Sequence, residues 1–412
     1  MEILFGNAVV GQSGGPTAAI NATLAGVIRG TLTEDGRRAI GTLYGMRNGI
    51  EGFLKENLID LTATCSDESS LRLLSQTPSA ALGSCRRKMK SPDADPETYA
   101  KILEILKKYN IRYFFYIGGN DSMDTVLRLS EFAASCGYDM RVVGVPKTVD
   151  NDLMATDHTP GFGSAAKHVA TTVKELIRDI SVYSLKAVTI VEIMGRDAGW
   201  LTAASALPVI SGGIAPDLIY LPERSFDPEE FISRINELQK TKPALLVAIS
   251  EGIKFADGRY VGEGMGGRSV DAFGHVALSG AGRVLEALVK ERVGCKVRSI
   301  ELNLPQRCAS HIASATDISE SQGVGCSAVI SALGGKTGVM ATIVRESNDP
   351  YTVAYGAENI KDIANGVRTV PDEYINSTAD GVTDACIEYL RPLIIGEVET
   401  FYDNGLPAHL LL

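Results

Sequence analysis

Lys147, Thr148, Asp150 and Asp152 fall within six positions of the stretch GVPKTVDND (144–152), directly after the apolar run RVVGV. A lysine there can neutralise phosphate oxygens, and an aspartate can take the proton from an attacking hydroxyl. Phosphoryl transfer asks a protein for little beyond these two groups, positioning and usually a metal. A polar Asx-type turn with a solvated lysine uses the same residue types. Taken alone, the stretch leaves both readings open.

Other strand ends carry similar material. GQSGGPTAAIN (11–21) places Gly14 and Gly15 between the apolar AVV and a helical run. Glycines at such a turn let backbone N–H groups approach a phosphate. The stretch is not a P-loop, because Gln12-Ser13 stand where Lys-Ser/Thr is required; a plain tight turn is the alternative. After YFFYI (113–117) comes GGNDSMDT, with Gly119, Asn120 and Asp121 in the form of a phosphate or metal-phosphate site. Asp121 as a helix N-cap is the plainer explanation. After AVTIVEI (187–193), Met194, Gly195 and Arg196 open MGRDAGW. The planar fork of arginine suits phosphate or carboxylate, an interdomain salt bridge included. Glu251 follows ALLVAI (244–249) and suits sugar hydroxyls or a simple turn. Arg298 and Arg307 bracket VRSIELNLPQR, two cations suited to a phosphate on a second substrate. Together, these strand ends favour phosphoryl transfer onto a phosphorylated acceptor that bears a hydroxyl.

The elements needed to position these residues follow from the alternation of pattern. Short β-branched or aromatic runs, also at 217–221, 297–304 and 339–344, alternate with helical periodicity at 97–109, 122–135, 163–179, 227–240, 276–292 and 310–332. Such alternation predicts α/β layers with mostly parallel sheets, whose ligands lie beyond the carboxyl ends of the strands. A chain of 412 residues predicts two domains. A net charge of −10 argues against general nucleic-acid binding. No apolar run reaches the ~18–20 residues of a membrane span, and MEILFGNAVV lacks the pattern of a secretory signal. The seven cysteines are odd in number and never spaced as CxxC. That excludes a disulfide framework or zinc ribbon and predicts reduced thiols in a cytoplasm.

The ordered set GQSGGPTAAIN, ALGSCRR, IGGNDS, GVPKTVDND, VEIMGRDAGW, ISEG and PQR closely resembles the phosphofructokinase family from Gly11 to about Gly335. The resemblance implies two three-layer α/β domains with the active site in the cleft between them. The expected division is 1–160 plus about 306–370 for the donor, and 161–305 plus about 371–412 for the sugar phosphate. It implies Asp150 as the base acting on the 1-hydroxyl of fructose 6-phosphate, with Thr148 beside the transferred group. Asn120 and Asp152 match metal-supporting positions for Mg²⁺. Gly14, Gly15, Arg86 and Gly119 match the donor side. Met194, Gly195, Arg196, Glu251, Arg298, Leu304 and Arg307 match the sugar-phosphate side. A cytoplasmic homodimer or homotetramer, acting reversibly in glycolysis and gluconeogenesis, is implied as well.

Two positions choose the donor. In the ATP-using branch, the residues matching Asp121 and Lys147 are glycines; here both are charged, as in the pyrophosphate-using branch. A carboxylate at 121 would repel a nucleotide α-phosphate, and an ammonium at 147 would offset charge on the departing phosphate. Pyrophosphate is therefore the expected donor, ahead of ATP. The retained Asp150 argues against a silent regulatory subunit. Three positions depart from the family pattern. Asn120 replaces an aspartate, Leu304 a histidine or tyrosine, and Ala187 an arginine that reaches a neighbouring subunit. Sedoheptulose 7-phosphate shares the recognised ends of the acceptor. The segment after 335 carries no chemical motif and is expected to pack across the domains or at an interface.

Overall fold

The computed structural model describes residues 4–182, 184–263, 280–364 and 366–412. Two sheets organise them. The larger has seven strands: β1 (Gly6–Gln12), β2 (Ile40–Met46), β3 (Leu58–Asp60), β4 (Ile111–Gly118), β5 (Arg141–Pro146), β10 (Val339–Asn348) and β11 (Tyr351–Asn359), in the order β11-β10-β5-β4-β1-β2-β3. The smaller has β6 (Ala187–Ile193), β7 (Leu218–Tyr220), β8 (Ala244–Ser250) and β9 (Lys296–Glu301), in the order β7-β8-β6-β9. The small sheet is parallel throughout. In the large one only the edge pairs β2–β3 and β10–β11 run antiparallel. The expected α/β class with mostly parallel sheets is what forms.

The sequence of β4 explains its place at the centre. Tyr113, Phe115 and Ile117 point into one apolar cluster, while Phe114 and Tyr116 point into another on the opposite face. A strand buried on both faces needs apolar residues of both parities, and therefore helices on both sides. β8 repeats the arrangement: Leu245, Val247 and Ile249 face one cluster, Leu246 and Ala248 the other. Each sheet is thus the middle layer of three.

Between the sheets the chain runs through HTPGFGSAA. Both carboxylate oxygens of buried Asp317 accept from this bend, from Gly161 N and Ser164 N at 2.9 Å each. The helix Phe162–Ile180 then packs into the core of the small sheet. Helix ends differ in detail from the expected runs. The helix expected over 310–332 covers Ala315–Leu333, because Ser314 caps it by accepting from Asp317 N. The helix expected over 276–292 covers Ala281–Arg292, and its residues 276–279 lie outside the described residues.

The tail packs across both layers. Its β10–β11 hairpin completes the large sheet, whereas Ile375, Tyr389 and Leu393 join the core of the small one. The chain then returns to the first layer. There Gln76 Nε2 donates to Phe401 O and Ala408 O, and Leu410 N donates to Thr77 Oγ1. Among the described residues, no helix is long and apolar enough to cross a membrane.

One close helix crossing holds the large sheet's outer layer. A Cβ at Gly26, on the helix Ile20–Leu32, would lie 2.1 Å from Gln322 O, and one at Gly325 would lie 2.3 Å from Thr23 O. Alanine favours a helix interior by up to ~1 kcal/mol over glycine, but a backbone oxygen cannot rotate away. Gly26→Ala is therefore expected to destabilise by about 1–3 kcal/mol net, read as a lower denaturant midpoint. A variant as stable as wild type would show that the crossing can open without loss.

Candidate active site

The carboxyl ends of strands from both sheets converge on one cleft. In the large sheet β1, β4 and β5 stop side by side, with Ser13 N donating to Ile117 O and Lys147 N donating to Gly118 O. In the small sheet Glu251 N donates to Ile193 O and Gly252 N to Gly195 O. A cavity of about 360 Å³ opens at this junction, lined among others by Gly14, Gly15, Arg86, Gly119, Asn120, Asp121, Lys147, Thr148, Asp150, Asp152, Arg196 and Glu251. A second cavity of about 360 Å³ adjoins it and adds Met194 and Arg307.

Close backbone approach makes the junction possible. Gly14 adopts φ 76°, a left-handed conformation that favours glycine. A Cβ at Gly15 would meet Arg307 Nη1 at 2.9 Å, so this glycine lets a guanidinium from beyond β9 reach the loop after β1. The glycines do not sit at a helix terminus as their sequence suggests, because the helix begins only at Ile20. Ser84 Oγ donates to Gly14 O at 2.6 Å, and Ser122 Oγ lies 2.8 Å from Ser13 Oγ. The loop is fixed from three sides.

Asp121 is not an N-cap. The helix Asn120–Ser135 is capped by Gly119, which offers no side chain, and Asp121 stands in its first turn beside the cavity. The capping explanation thus fails for a geometric reason: the helix starts two residues too early. Asn120 Nδ2 donates to Asp152 Oδ2 at 3.1 Å, while Asn120 Oδ1 is buried without a partner.

Lys147 is only 3% exposed, and its Nζ donates to Gly15 O at 2.7 Å. Burial lowers its pKa to about 8; Asp150 and Asp152 oppose that shift, whereas Arg307 and Arg86 add to it. Three cations crowded together favour an anionic ligand between them. Asp150 receives Thr148 Oγ1 at 3.3 Å, and Asp150 N donates to Thr148 Oγ1 at 3.1 Å. Burial raises the pKa of Asp150, against the pull of Lys147, Arg196 and Arg307. Burial and the neighbouring Asp150 push Asp152 up to about 7, and the same two causes carry Glu251 to about 7. A carboxylate tuned toward neutrality is suited to accept a proton at working pH.

Residues 7–349 fit the model of the family described as phosphofructokinase. The chain belongs to the phosphofructokinase family. A pyrophosphate–fructose 6-phosphate 1-phosphotransferase of Methylococcus capsulatus is 41% identical over 415 residues, covering 98% of this chain and 96% of its own. One from Xanthomonas campestris is 41% identical over 410 residues, with 99% and 96% covered. The crystal structure of a pyrophosphate-dependent phosphofructokinase from Nitrosospira multiformis matches with a TM-score of 0.88 at 38% identity, over 99% of this chain and 96% of that one.

Not every expected residue reaches the cleft. Gly195 presents its backbone to Glu251, its N–H donating to Oε1 at 3.5 Å, and does not line either cavity. Leu304 is 52% exposed and lines neither cavity. Arg298 stands near the opposite end of β9, in a separate cavity with Lys296 and Ala187. Arg307 lines the cleft and Arg298 the other cavity, so within one chain the two do not meet on one phosphate. Asp197, within MGRDAGW but without a spacing that marks it, also lines the cavity and accepts from Lys254 Nζ at 3.2 Å. Val367 lines it too, from a segment with no sequence signal.

Proposed function

We infer that this chain transfers a phosphoryl group from pyrophosphate to the 1-hydroxyl of fructose 6-phosphate, reversibly, giving fructose 1,6-bisphosphate and phosphate. The observation that carries the reading is buried Lys147, bonded to the donor-side loop at Gly15 and within electrostatic reach of Arg86, Arg307 and Asp150. A charged lysine there, with Asp121 at the mouth of the next helix, fits a compact polyanion better than a nucleotide. The name carried by full-length relatives supports the same donor and acceptor.

The residues divide the work by position. Gly14, Gly15, Gly119 and Arg86 surround the donor. Asp150 accepts the proton of the attacking hydroxyl while Thr148 holds the accepting carboxylate. Lys147 meets charge that gathers on the departing phosphate. Met194, Arg196, Glu251 and Arg307 receive the sugar phosphate.

Mg²⁺ is the cofactor we propose. Among the described residues no three His, Cys, Asp or Glu side chains form a metal cluster. Mg²⁺ commonly takes only one or two carboxylates and completes its shell from substrate phosphates and water. The buried, unpartnered Asn120 Oδ1 beside Asp152 fits such a site. When bound, the ion would neutralise charge on pyrophosphate oxygens.

We further propose a cytoplasmic homodimer or homotetramer, and a division into donor and sugar-phosphate domains in which the chain end belongs with the donor side, where Leu410 and Leu412 pack. A coupled assay tests the central claim. Purified protein with fructose 6-phosphate and Mg²⁺ is expected to turn over with pyrophosphate and not with ATP. Turnover with ATP alone would overturn the donor; silence with both would favour a regulatory subunit.

A further inference from the structure

The motif-free segment after β11 bonds to both walls of the cleft. Arg368 N donates to Asp152 O at 2.8 Å, and Arg368 O accepts from Trp200 Nε1 at 3.0 Å. Two residues on, Val370 N donates to Glu223 Oε1 at 2.8 Å, the oxygen that also accepts from Gly199 N at 2.8 Å. Residues 368–370 therefore run from the loop that carries Asp150 to the loop that follows Arg196. Their contacts with each are backbone-based and directional.

Tyr389 closes the same connection from a helix farther along. Its hydroxyl accepts from Asn151 Nδ2 at 3.0 Å and from Arg368 Nη2 at 3.2 Å, and donates to Asp157 O at 2.7 Å. One donor and two acceptors exhaust what a tyrosine hydroxyl can offer. Asn151 lies between Asp150 and Asp152 in sequence, is fully buried, and holds φ 54°. Asparagine tolerates that left-handed geometry better than most residues, but a partner is needed to fix it. Its remaining amide end accepts from Thr159 N at 3.1 Å. The Arg368 guanidinium lies over the rings of Trp200 at 4.5 Å and Tyr389 at 5.5 Å, which stiffens the contact. Neither Arg368 nor Tyr389 lines a cavity of the cleft.

We propose that Arg368 and Tyr389 are positioning residues, which set the Asp150–Asp152 loop against the sugar-facing loop Met194–Trp200 by holding Asn151 and Asp152 O in place. The claim rests on the phosphotransfer reading for its kinetic consequence, and on geometry alone for its structural one. A misplacement of about 1 Å can cost a reaction as much as 10²-fold without any lost contact to substrate.

The test uses the full chain with Tyr389→Phe, Arg368→Lys and the double variant. With pyrophosphate, fructose 6-phosphate and Mg²⁺, each single variant is expected to lose roughly 10- to 100-fold in kcat, with both KM values within about twofold of wild type. A purely structural loss would lower the amount of folded enzyme and leave kcat per folded molecule unchanged. The double variant should be little worse than the worse single one, because the Arg368 side chain reaches the loop through the Tyr389 hydroxyl while its backbone bonds are kept. Native kcat in both singles, or losses that multiply in the double, would overturn the proposal. Amide hydrogen exchange reads the same claim without turnover. Amides of 148–152 should exchange at least about threefold faster in Tyr389→Phe, and unchanged exchange would overturn the proposal even if wild type proves inactive with these substrates. Wild-type inactivity together with faster exchange would instead refute the phosphotransfer reading and leave the positioning claim supported.

Discussion

Asp150→Ser is expected to lower kcat by roughly 10²–10⁴ while fructose 6-phosphate still binds with an affinity close to that of wild type. Serine keeps a hydroxyl in the place of the carboxylate but has no basicity near neutral pH. The contacts assigned to the sugar phosphate come from Arg196, Glu251 and Arg307, so binding survives the loss of the base. The pH dependence supplies a second readout. Burial raises the pKa of Asp150 above the usual carboxylate range; Lys147, Arg196 and Arg307 pull it down, and Asp152 and Glu251, titrating near 7, sit beside it. A base is useful only when deprotonated, so kcat/KM should fall as pH drops through that raised pKa. The acid limb should therefore lie above the pH expected of an ordinary aspartate, and the substitution should remove it. A serine variant that retains near-native turnover would exclude Asp150 as the base.

Lys147→Met should lower turnover with pyrophosphate by roughly 10²–10³. Methionine is similar in length and keeps the buried volume filled, so the substitution removes the charge without opening a cavity. It also deletes the Nζ–Gly15 O bond that anchors the donor loop. Two pH effects should accompany the loss. The ammonium lowers the pKa of both Asp150 and Asp152, so its removal raises them and moves the acid limb to higher pH. The wild-type profile should lose activity at the alkaline side as Lys147 deprotonates near pH 8, and that limb should vanish in the variant. Stopped-flow or coupled assays across a pH series that spans both limbs resolve them. Unaltered profiles and rates would remove Lys147 from the reaction.

Much of this was legible because short strands buried on both faces announce themselves. YFFYI and ALLVAI have apolar residues of both parities, and the residues just after them lie where a parallel sheet presents ligands. β2 was harder to see, since IGTLYGM mixes glycines with apolar residues, and β11 lies beyond a turn with no Asn-Gly or Asp-Gly signal. The site was legible where it depended on strand ends and illegible where it depended on distance. Arg298 illustrates the limit: residue type and order point to a phosphate, but it lines a different cavity from Arg307. Val367, Arg368 and Tyr389 were invisible for a different reason. Their parts in the cleft come from backbone groups, a hydroxyl and stacking, none of which leaves a spacing to read.

The order of strands in the large sheet also bears on how the chain is made. β5 pairs on one side with β4, its predecessor in sequence, but on the other with β10, about two hundred residues later. On the ribosome, β5 must wait with a bare edge until the whole small sheet and β10 have emerged. An unpaired, apolar edge is an invitation to wrong partners. Synthesis pauses or truncations between residues 146 and 339 should therefore yield chains that hold the donor loop's sequence yet cannot seal the wall behind it.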